Sequence, residues 1–81
     1  MDLQEVKRQL QQALPGCEVE IQGDGRYYDV VAWGEHFEGM SRVQRQQAVY
    51  AVLNPWIASG EMHAVNMRLL TPSERAQQQQ A

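Results

Sequence analysis

Cys17, His36 and His63 are the side chains of this sequence best suited to a metal, and Gly39, Arg42 and Arg45 those best suited to an anion. His63, in EMHAV, opens a run whose odd positions from Val65 to Leu69 are apolar, so parity directs its imidazole to the side of Val65 and Met67. A residue at the rim of a sheet is the plainer reading of that pattern. A neutral imidazole there can also ligate a metal that a second protein brings. His36, just ahead of Phe37, reads as a solvated loop residue. Cys17 alternates with Val19 and Ile21 and reads as a buried, inert thiol. Two histidines and one cysteine are too few to close a four-ligand site.

The anion candidates lie in GEHFEGMSRVQRQQAVY, residues 34–50. A helix that begins after Ser41 presents free backbone N–H groups and the positive end of its dipole. Gly39 precedes that cap by two residues, and Arg42 and Arg45 share a face of the first turn. Together they could hold a phosphate, as at a nucleic-acid backbone. The competing reading is a solvated basic face, and on it Arg45 stays exposed. Catalytic signals are weaker still. Ser41 near His36 is explained by capping, and the GDG at 23–25 lacks the strand–glycine–helix context of a phosphate cradle. No constellation supports a hydrolase or transferase, so the chain reads as a non-enzyme with no small-molecule substrate.

Composition narrows the class. Eighty-one residues make one domain, and a net charge of −3 argues against binding nucleic acid by bulk electrostatics. The charge is uneven: between Glu38 and Glu61 the only charged residues are Arg42 and Arg45. A lone cysteine and the lack of a long apolar run predict a cytoplasmic protein that engages no membrane.

Periodicity places these residues on elements. Leu3, Val6, Leu10, Ala13 and Leu14 form the apolar stripe of a first helix, which Pro15-Gly16 ends. Alternation over residues 17–22 and the run YYDVVAW predict two strands of an antiparallel hairpin around GDG. Val49, Val52, Leu53, Trp56 and Ile57 mark the buried face of a long helix that opens on a Ser41–Gln44 capping box. Pro55 predicts a kink or an early end to it. MHAVNMRLL is a third strand, and Thr71, Pro72 and Glu74 open a last helix. The order is helix-strand-strand-helix-strand-helix. A right-handed crossover makes the second and third strands parallel, giving an α+β domain with helices on one face of a mixed three-stranded sheet. The domain spans residues 1–76, and the Gln-rich residues 77–81 form a frayed tail.

Three segments taken together resemble the BolA family, most closely its short IbaG-type bacterial branch. They are GDG with the strand after it, FEGMSRVQRQQAVYAVL with its F-x-G-x-S-x-x-x-R core (Phe37, Gly39, Ser41, Arg45), and SGEMHAVNMRLLTPSE. The likeness runs from the first helix to about Glu74. It implies a fold similar to class II KH domains and a cytosolic partner of monothiol glutaredoxins in iron–sulfur cluster trafficking and stress response. It also implies that His63 ligates a [2Fe–2S] cluster shared with the glutaredoxin and glutathione. Some members are described as DNA-binding transcriptional regulators, which would employ Gly39, Arg42 and Arg45. One position departs from the family. Where a second His or Cys ligand usually stands in the hairpin, this chain has Tyr27, whose phenol must lose a tightly held proton to become a good ligand. The departure leaves several arrangements open: His63 alone, or His63 with Cys17 or His36 after rearrangement.

Overall fold

Asp2 caps the first helix, its carboxylate accepting the Gln4 N–H at 2.9 Å. In the computed structural model, which describes residues 1–79, helix α1 spans Leu3–Ala13 and buries Val6 and Leu10. Leu14 follows them into the core, whereas Ala13, expected on the same stripe, is exposed. Strand β1 (Cys17–Gly23) pairs antiparallel with β2 (Tyr27–Gly34), and β2 pairs parallel with β3 (Ala64–Leu70), so β2 is central. A 3₁₀ turn at Glu35–Phe37 and helix α2 (Arg42–Ala58) form the crossover, and α3 (Pro72–Gln79) closes the chain. Gln77–Gln79 thus continue α3, and residues 80–81 of the expected tail lie outside the described residues.

Alternation decides which face of the sheet is covered. Val19, Tyr28, Val30 and Ala32 are buried together with Val6, Leu10, Val49 and Leu53 of α1 and α2. The intervening residues of β2 point the other way. One of them, Trp33, carries the Arg75 guanidinium 4.1 Å from its ring centre. The third helix therefore reaches the opposite face and does not share the one that α1 and α2 cover.

Two glycines have different reasons to be there. A Cβ on Gly23 would lie 2.0 Å from the ring of Tyr28, its cross-strand partner, so this glycine makes room for an aromatic rather than for a bend. The hairpin turn itself comes from Asp24, whose carboxylate accepts the Arg26 and Tyr27 N–H groups, and from Gly25 at φ +100°. Helix α2 does not end at Pro55 but continues to Ala58. The lost donor weakens one turn near the helix end. Half-buried Trp56 and Ile57 hold that turn on the core. A Schellman closure finishes it, with Gly60 at φ +85° and the Glu61 N–H bonded to the Trp56 carbonyl at 3.1 Å.

Candidate functional site

His63 sits at a bend one residue before β3 begins, not within the strand. Its own N–H bonds the Arg26 carbonyl at 2.9 Å, and the preceding residue, Met62, is 1 % exposed in the core. Met62 would face away from α1 and α2 if the alternation of β3 extended back to it, so the parity rule fails at this bend. The consequence is a fixed backbone carrying an exposed imidazole. Arg26 and Met62 position it, and neither was legible as a site residue in the sequence; the only trace is an apolar residue directly before the histidine.

Tyr27 lies beside this bend. It pairs in register with Ala64 and is 59 % exposed, so its phenol and the His63 imidazole occupy the same end of the sheet. Cys17 and His36 do not. Cys17 pairs with Gly34, at the far end of β2 from Tyr27, roughly 23 Å away at about 3.3 Å per residue. The His36 backbone N–H faces the Cys17 sulfur there, while partial burial pushes the thiol above its ordinary range. In this fold neither side chain is within reach of His63. Among the described residues, no three His, Cys, Asp or Glu side chains converge. An accessible imidazole suits a metal site whose remaining donors arrive on another molecule; Tyr27 adds no comparable donor.

The anion candidates are not arranged as the sequence suggested. Glu38 (φ −60°, ψ 132°) and Gly39 (φ +76°) are the middle residues of a type II turn closed by the Met40 N–H on the Phe37 carbonyl at 3.1 Å. Gly39 is therefore required by the turn that delivers Ser41 to its capping box. Arg45, expected to be exposed, is turned inward, with 14 % of its side chain accessible. Its guanidinium donates to the Met40 carbonyl at 3.1 Å, the Leu69 carbonyl at 3.0 Å and the Glu74 carboxylate at 2.6 Å, and it lies over the Phe37 ring. It joins the start of α2, the end of β3 and the start of α3. Only Arg42 of the pair remains exposed.

Two measurable consequences follow from that junction. Arg45→Ala is expected to cost roughly 1–3 kcal/mol, because it strands two carbonyls and a carboxylate, whereas Arg42→Ala stays within about 0.5 kcal/mol in urea unfolding. The Arg45 guanidinium, and then the Thr71 N–H, hold the Glu74 carboxyl below its usual range. A carboxyl with a lowered folded-state value stabilises the fold above the ordinary glutamate range and loses that contribution as pH falls through the lowered value. The Tm difference between wild type and Glu74→Gln should therefore shrink on acidification. A difference that is constant with pH would place the effect elsewhere.

The family model for BolA-like proteins matches residues 5–74. Acid stress protein IbaG of Escherichia coli K12 is 45 % identical over 76 residues, which cover 94 % of this chain and 90 % of that protein. Among solved structures, BolA1 from Arabidopsis thaliana is similar with a TM-score of 0.78 at 29 % identity, covering 88 % of this chain and 92 % of that one. A bolA homologue from Coxiella burnetii gives a TM-score of 0.73 at 25 % identity, covering 94 % and 97 %. The fold, the helix-capping turn and the histidine-bearing bend thus stand in a chain that belongs to the BolA family.

Proposed function

We propose that this protein is a non-enzymatic cytosolic adaptor that binds a monothiol glutaredoxin and contributes His63 to a [2Fe–2S] cluster shared with the glutaredoxin and glutathione. The observation that carries this reading is the exposed imidazole on a backbone pinned by Met62 and Arg26. The backbone that carries the ligand is already ordered, and imidazole coordinates in its neutral form without deprotonation. Replacing a thiolate by an imidazole on one iron raises the potential of a bound cluster. This chain's part is to present that imidazole at the sheet end and to hold the partner there; it gathers no further donors of its own. A role in the response to acid stress is supported by the name of the 45 % identical relative.

The test is co-purification with a monothiol glutaredoxin under anaerobic conditions in the presence of glutathione. A heterocomplex with visible cluster absorption is the expected result. Glutaredoxin that elutes separately from this chain, with or without cluster, would overturn the adaptor reading.

A further inference from the structure

We propose that the outer edge of β3 binds an extended, acidic segment of a partner protein as a fourth strand. The site lies along the outward-facing backbone of Val65 and Met67 on β3 and makes no use of the His63 imidazole. Because the strand order is β1-β2-β3, the outer side of β3 has no neighbour in the sheet. In a parallel ladder, the N–H and C=O of alternate residues turn toward the neighbouring strand and those of the others turn away. Two contacts fix which are which. The Ala64 N–H bonds inward to the Arg26 carbonyl, and the Leu69 carbonyl bonds outward to Arg45 on α2. The backbone groups of Val65 and Met67 therefore share the outward direction of Leu69. Such a row is a ready template for an added strand, which gains main-chain hydrogen bonds along its length.

Charge selects the occupant. Beside this edge α2, β3 and α3 enclose a cleft of about 360 Å³, lined by Arg42, Gln46, Met67, Arg68, Leu69 and Glu74 among others. Arg42 and Arg68 are exposed and form no ion pair among the described residues. The one carboxylate in the cleft, Glu74, is already taken by Arg45. Two exposed guanidiniums lining one cleft with Met67 and Leu69, on a chain of net charge −3, favour carboxylates alternating with apolar side chains. The other free edge carries the opposite sign: Glu18 and Glu20 project from β1, so an acidic strand is directed to β3 alone.

A fluorescein-labelled peptide of alternating valine and glutamate, followed by fluorescence anisotropy at low ionic strength, tests this. The expected result is saturable binding that weakens at least tenfold in Arg42→Glu/Arg68→Glu, with the amide signals of Val65 and Met67 shifted in the wild-type complex. Both arginines are exposed, and an unchanged circular dichroism spectrum verifies the variant's fold. Lys7→Glu/Arg8→Glu, a double charge reversal on α1 that changes the net charge by the same amount, should bind as wild type. An equal loss in Lys7→Glu/Arg8→Glu would show that only net charge matters, and would overturn the site. So would binding unaffected by the double replacement, amide shifts confined to other elements, tighter binding of a lysine-for-glutamate peptide or of a DNA oligonucleotide, or sedimentation showing that a second copy already occupies the edge.

Discussion

His63→Ala is expected to abolish cluster absorption in the complex with a monothiol glutaredoxin while leaving the two apo proteins able to associate. The bend around His63 is held by backbone contacts and by Met62, so truncating the exposed imidazole removes a donor without moving its support. Among the described residues, no other imidazole or thiol lies at this end of the sheet. Cys17 and His36 lie at the opposite end of β2, and Tyr27 offers a phenol. Tyr27→His is the complementary change. It places a second neutral imidazole at the same end of the sheet and is expected to strengthen cluster retention. Absorption spectra and iron content of the purified complexes check both. Equal occupancy in wild type and His63→Ala would remove His63 as a ligand. Loss of occupancy in Cys17→Ser would instead move the site to the far end of the sheet.

The largest effect on stability is expected from Phe37→Ala, about 3–5 kcal/mol, measured by urea unfolding. That is a large part of the roughly 5–15 kcal/mol available to a native domain. Phe37 is fully buried and leads the largest buried side chains of the core. It also forms the ring beneath the Arg45 guanidinium, 5.9 Å from its centre. Removing it opens a cavity and withdraws the surface on which the α2–β3–α3 junction rests. Leu53→Ala, at a fully buried position on α2, should fall in the range of about 2–5 kcal/mol. A cost below about 1 kcal/mol for Phe37→Ala would mean that the segment between β2 and α2 repacks freely, contrary to the tight turn at Glu38-Gly39.

The local features of this protein were legible in its sequence because their causes are local. The capping boxes at Ser41–Gln44 and Thr71–Glu74 join residues three apart, and both form. The stripe of Val6, Leu10 and Leu14 and the alternation through β1 and β2 report burial directly, and the crossover set the parallel pairing of β2 with β3. The limits appear where a residue's partner is distant in the chain. Arg45 had the spacing of a solvated cation, yet Glu74, twenty-nine positions on, turns it inward. Gly23 had the look of a turn glycine, and only the pairing with Tyr28 shows the ring it admits. Cys17 and His36 were conceivable companions for His63 until the register of β2 put them at the other end of the sheet. Periodicity and capping are properties of one turn or one strand, whereas ligand sets and ion pairs depend on which elements the tertiary fold brings together.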